Sequence, residues 1–148
     1  HRLGGEWGPG KPRRRFDGAA KTLQKIANRA KREGRRLRVF IEDLGDFFDE
    51  EVPAVWRGDA LAAMDEHPDL DFMLLTKRPE NAADMLPVNW RPSNLWLGIT
   101  AENQVRLEER WGPLFRLRSA HRWISHEPGL GPITVPAGCD YIVTGGES

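Results

Sequence analysis

The sequence predicts an α/β fold: a parallel sheet of about five strands with intervening helices, curled into a partial (β/α) barrel of the TIM-barrel kind. Three observations carry this. Short apolar runs rich in β-branched and aromatic residues begin near residues 39, 72, 95, 123 and 141. Segments of helical periodicity separate at least the first three, as parallel β-α-β units require. Each run then ends in Asp/Glu, Lys/Arg, Ser/Thr or Asn, at the strand end where parallel sheets bind ligands. A single polar tip would mean little, because loops are polar in general; five in succession carry weight.

The lead-in, residues 1–16, is rich in Gly, Pro and Arg. Pro9, Pro12 and four glycines argue against regular structure there. Arg13, Arg14 and Arg15 are a run that could hold phosphate, although such runs are more often solvated loop. From residue 17 to 148 the chain reads as one domain, a partial barrel truncated at both ends. Asp17 is a plausible N-cap for a helix carrying Ala19, Ala20, Leu23, Ile26, Ala27 and Ala30 at helical spacing. Its length is about 16 residues by its period, and Gly34 ends it as a C′ residue.

The first strand is Arg38-Val39-Phe40-Ile41, followed by Glu42, Asp43 and Asp46. Three carboxylates in five residues could bind a metal or act as acid and base, although the spacing alone favours a solvated acidic loop. Gly45 permits a turn that aims Asp46 inward, with Phe47 and Phe48 as anchors. Val52-Pro53 opens a helix that His67-Pro68 stops. The strand around 72–75 is an apolar run buried on both faces. It surfaces at Thr76, Lys77 and Arg78, and Pro79 suits the first position of the next helix, which carries Ala82, Ala83, Met85 and Leu86.

Leu95-Trp96-Leu97-Gly98-Ile99 is the third strand, with Thr100, Glu102 and Asn103 at its tip. A helix through Val105, Leu107 and Trp111 is expected to break at Gly112-Pro113, with a separate short turn over residues 114–117. His121-Arg122-Trp123-Ile124 is the fourth strand, and Ser125, His126 and Glu127 form its tip. The segment up to residue 140 is too short for a full helix and reads as loop. Tyr141-Ile142-Val143 is the fifth strand, tipped by Thr144, Gly145, Gly146 and Glu147.

The chain has 148 residues and 39% apolar content, enough for a core. No run approaches the ~18 apolar residues of a membrane span, no secretory signal is visible, and a cytoplasmic location is expected. The start without Met and the stop at Ser148 read as a fragment. One cysteine, Cys139, excludes an internal disulfide and a multi-cysteine metal site within these residues. Charge is segregated: residues 1–38 hold 13 Lys+Arg against 3 Asp+Glu, and residues 39–148 hold 9 against 19. The basic segment could bind nucleic acid. More simply, the two halves offset each other within one fold, since no aromatic-studded basic β surface accompanies the charge.

Residues 39–53, 74–79, 94–104, 124–133 and 142–148 resemble, in order, the blocks of the phage Gp37/Gp68-like family, also called DUF5131. The match is nearly complete at Leu74-Leu75-Thr76-Lys77-Arg78-Pro79 and close across Asn94 to Gln104; Asp46 is kept, His126 replaces an apolar residue, and Thr144 precedes Gly145-Gly146. The family is similar to the radical S-adenosylmethionine enzymes. The resemblance implies a parent that binds S-adenosylmethionine and a [4Fe-4S] cluster, with cluster cysteines upstream of His1. It implies a ligand mouth formed by Asp46, Thr76, Lys77, Arg78, Thr100, Glu102, Asn103, Ser125, Glu127, Gly145, Gly146 and Glu147, with no metal held by these residues. The alternative is a non-catalytic phage or mobile-element protein that binds nucleic acid through residues 1–38.

Overall fold

A computed structural model describes residues 10–11, 18–41, 45–90 and 92–146. The elements alternate: α1 (Ala19–Glu33), β1 (Leu37–Ile41), α2 (Ala54–Glu66), β2 (Leu70–Thr76), α3 (Pro79–Met85), β3 (Leu95–Thr100), α4 (Gln104–Phe115), β4 (His121–His126) and β5 (Tyr141–Thr144). All neighbouring strands pair in parallel, in the order β1-β2-β3-β4-β5. The sheet curls into a half-barrel. Helical crossovers join the first four strands; a segment without helix or strand joins β4 to β5. Among the described residues no helix is long and apolar enough to cross a membrane.

Side chains alternate across each strand, and the two faces are buried differently. Leu70, Phe72 and Leu74 of β2, Leu95, Leu97 and Ile99 of β3 and Ile124 of β4 share one core with Ala27, Ala30, Leu61, Met64, Ala82, Leu107 and Leu114 from the helices. The four helices of the described residues therefore pack on the convex face. Phe47 and Phe48 drop into the same core at 3% and 0% exposure, which anchors the loop after β1 as their sequence position suggests.

The concave face fills itself in layers, as the interior of a closed barrel does. At the N-terminal ends of the strands the Arg38 guanidinium stacks 4.3 Å over the Trp96 ring and 5.2 Å from Tyr141, while Trp96 stands 4.1 Å from His121. Side chains from β1 thus reach β3 and β5 across the curl. Above this layer the Trp123 indole lies flat on Gly98, and Phe40 meets it edge-on at 5.9 Å. Trp123 Nε1 donates to the Trp96 carbonyl at 3.2 Å. The third layer, nearest the C-terminal ends, holds the register partners Thr100 and Ser125.

The structure departs from the sequence-based expectations at several points. The α4 helix runs unbroken through Gly112 and Pro113 to Phe115. Continuing the helix keeps Leu107, Trp111 and Leu114 on one face, and Leu114 is fully buried; that burial outweighs one backbone hydrogen bond lost near the helix end. The fourth strand extends two residues further, so Ser125 and His126 belong to β4 itself. The α1 helix ends as expected, with Gly34 left-handed at φ 60°; Asp17, its expected cap, lies outside the described residues, as do Glu42, Asp43, Arg13, Arg14, Arg15 and Glu147.

Candidate functional site

The C-terminal strand ends converge because the register is nearly flush: Thr76 pairs with Ile99, Thr100 with Ser125, and His126 with Thr144. Backbone bonds then lace the tips together. Ala101 N–H donates to Ser125 O at 2.8 Å, Leu130 N–H to Glu102 O at 2.8 Å, Gly129 N–H to Gly145 O at 2.8 Å and Gly145 N–H to His126 O at 3.2 Å. The His126 ring adds a 2.7 Å bond between Nδ1 and Ala101 O. The loops after β3, β4 and β5 are thereby one connected rim.

At the β2 tip Asp46 acts as a brace. Its Oδ1 accepts from the Thr76 hydroxyl at 2.7 Å and from Phe48 N–H at 3.1 Å, and its Oδ2 accepts from Lys77 N–H at 2.8 Å. Thr76 Oγ1 in turn accepts from Arg78 N–H at 2.8 Å. Strand alternation places Thr76 on the convex side with Leu74, so its hydroxyl positions backbone and does not face the mouth. Arg78 also leaves the mouth: it pairs with Asp49 at 3.2 Å.

Lys77 does face the rim, 3.5 Å from Glu102. Glu102 is held from the other side by Arg110 at 2.9 Å, and Arg110 also donates to Thr100 O at 2.6 Å. Burial would raise the Glu102 carboxyl; its own backbone N–H, Arg110 and Lys77 together outweigh that and hold it below the ordinary 4.5. Arg110 was not anticipated from the sequence. Its position six residues into α4 is the available signal, because long helical side chains lean back toward the helix N-terminus. Asn103 caps that helix, its Oδ1 accepting from Arg106 N–H at 3.0 Å.

The residues left facing inward are Thr100, Ser125, Glu127 and Gly145. Thr100 and Ser125 are 5% exposed neighbours on the concave face, and neither hydroxyl has a hydrogen-bond partner among the described residues. Glu127 is exposed, and its carboxylate lies so close over Gly145 that a Cβ there would collide with it. Gly145 is thus required for that carboxylate to cross the β5 tip. Gly146 is exposed beside it. Among the described residues no cluster of three His, Cys, Asp or Glu side chains suits a metal ion.

A family model described as a protein of unknown function, DUF5131, matches residues 6–148. The chain belongs to this family. No match was found among curated proteins or among solved structures. Within this DUF5131 chain, the family-like segments at residues 74–79, 94–104 and 142–148 all include strand tips. Asn94, at the start of one of them, serves the fold instead. It is buried, and its Nδ2 donates to the α2 end carbonyls of Met64 and His67 at 3.1 and 3.2 Å.

Proposed function

We propose that the mouth at the strand C-terminal ends binds a small polar cofactor or substrate, and that the parent is a radical S-adenosylmethionine-type enzyme of phage Gp37/Gp68-like character. The observation that carries the binding reading is the pair of hydroxyls, Thr100 and Ser125, on the concave face directly above the layers packed by Trp123, Gly98, Trp96 and Arg38. A ligand entering from the tips meets a floor of aromatic side chains, two hydroxyls, the Lys77 ammonium and the Glu127 carboxylate. Such a set suits a zwitterion with a sugar: Glu127 accepts from an ammonium, Lys77 meets a carboxylate, and the hydroxyls bond ribose. S-adenosylmethionine has these groups. Its chemistry would be the cofactor's own; the residues here bind it, orient it and exclude water.

An iron–sulfur cluster is a different matter. It takes several thiolates, and this chain has one cysteine. Cys139 precedes β5, at the strand end opposite Gly145, and its Sγ donates to Tyr141 O at 3.2 Å. Burial raises its thiol above the ordinary 9.0. The residues of this chain do not fit a cluster, and on this reading its thiolates come from outside residues 1–148.

Calorimetric titration with S-adenosylmethionine tests the proposal. Binding is expected, and the double substitution Thr100→Val with Ser125→Ala should weaken it about tenfold or more while the melting temperature holds. Binding that ignores both substitutions contradicts the proposed mouth.

A second reading, nucleic-acid binding through residues 1–38, is favoured by the exposed cationic face of α1 formed by Lys21, Lys25, Lys31 and Arg32. Binding whose affinity falls steeply with salt, and which is lost on deleting Arg13, Arg14 and Arg15, would support it.

A further inference from the structure

A second concavity lies at the other end of the sheet. The connection from α4 to β4, together with Pro92 ahead of β3, lines an open cleft of about 350 Å³. Three guanidinium groups line it, from Arg116, Arg118 and Arg122, beside Ser119 and the Phe115 ring, and its lining contains no carboxylate. Arg116 and Arg118 are exposed and have no ion-pair partner among the described residues.

Two polar atoms of these residues are themselves buried, out of contact with the cleft's solvent, and have no hydrogen-bond partner: Ser119 Oγ and Arg122 Nε. Both are donors, and a buried donor without an acceptor is costly. The Arg122 side chain is fixed in place by other means. Its Nη2 donates to the carbonyls of Phe115 at 3.3 Å and Leu117 at 3.0 Å, and its guanidinium lies 4.8 Å from the Phe115 ring centre. Asp140, the carboxylate at this strand end, is engaged elsewhere: it accepts from Arg122 backbone N–H at 2.8 Å and stands 3.8 Å from His121. A fixed guanidinium and two exposed cations, with no carboxylate in the lining, make an anion-seeking cleft.

We propose that this cleft binds the phosphate group of a small phosphomonoester. Arg116 and Arg118 pair with its oxygens, the Arg122 guanidinium adds its charge, and the organic part lies against Phe115 and Pro92. Phe115 is 49% exposed beside the cleft, so the ligand has an apolar or planar portion as well as a charge. The site lies at the N-terminal strand ends, so it is separate from the mouth and independent of its function.

Phenyl phosphate, inorganic phosphate, phenol and a short single-stranded oligodeoxynucleotide, titrated into the intact chain at fixed ionic strength, test this. Phenyl phosphate is expected to bind more tightly than inorganic phosphate, and phenol not to bind. Arg116→Gln with Arg118→Gln should weaken phenyl phosphate about tenfold or more without lowering the unliganded melting temperature, since neither side chain has an ion-pair partner among the described residues. No binding of phenyl phosphate, or binding indifferent to the paired arginine substitutions, overturns the proposal. Tighter, steeply salt-dependent binding of the oligonucleotide overturns it as well, by assigning the cations to a nucleic-acid backbone.

Discussion

The Thr76 hydroxyl donates to the Asp46 carboxylate at 2.7 Å, a bond that joins the end of β2 to the loop after β1. The same carboxylate takes the backbone N–H groups of Phe48 and Lys77. Asp46 therefore fixes where the Lys77 side chain starts, and its place among family-like residues is accounted for without ligand contact. Asp46→Ala is expected to lower unfolding free energy by about 1–3 kcal/mol, because three donors lose one acceptor. Asp46→Asn is the sharper probe. It is isosteric, but its amide turns one acceptor into a donor facing a backbone N–H, so it should cost nearly as much. Chemical denaturation of both variants checks this; a neutral Asn variant would remove the brace.

Lys77 is expected to behave differently from a buried charge. Its side chain is 60% exposed and Glu102 keeps Arg110 when Lys77 is removed. Lys77→Ala should change stability by less than about 1 kcal/mol and weaken S-adenosylmethionine binding. Thermal melting and calorimetry on the same variant decide the matter. A lowered melting temperature with unchanged binding would take Lys77 out of the mouth.

Glu102 gives the rim a pH dependence. Its folded pKa lies below the ordinary 4.5, so it contributes stability that is present above that value and is lost as pH falls through the folded one. Acid denaturation followed from neutral pH downward should be less steep below about pH 4.5 in Glu102→Gln than in the unsubstituted chain. Identical acid limbs would show that Glu102 is not held by Arg110 and Lys77 in solution.

Gly98→Ala should destabilise by about 1–3 kcal/mol through overpacking, since a Cβ there would enter the rigid Trp123 indole. Denaturant unfolding with Trp fluorescence reads both the loss and the displaced ring. An unperturbed, equally stable variant would mean that Trp123 does not rest on Gly98.

The strands and their polar tips were legible because each is a short apolar run ending abruptly in charge or hydroxyl. Which face each tip residue takes was not. In β2 the run Phe72-Met73-Leu74-Leu75 is apolar on both faces, so no alternation shows that Thr76 belongs with Leu74 on the convex side while Thr100 points inward. Pro113 misled for a related reason: a helix breaker is visible in sequence, whereas the burial of Leu114 that overrides it is a tertiary fact. The stack of Arg38 on Trp96 and Tyr141 was beyond reach because it depends on the curl of the sheet. Asn103 stands at a strand tip, which suggests a ligand residue; the same place makes it a helix cap, and Asn is among the preferred caps.

Amide chemical-shift mapping with S-adenosylmethionine tests the central claim most directly, that ligand enters at the C-terminal ends of the strands. The account predicts perturbations concentrated at Lys77, Thr100, Ser125 and Gly145, with Arg38, Trp96 and His121 at the opposite end unaffected. Perturbations confined to that opposite end, or none at saturating ligand, would contradict it.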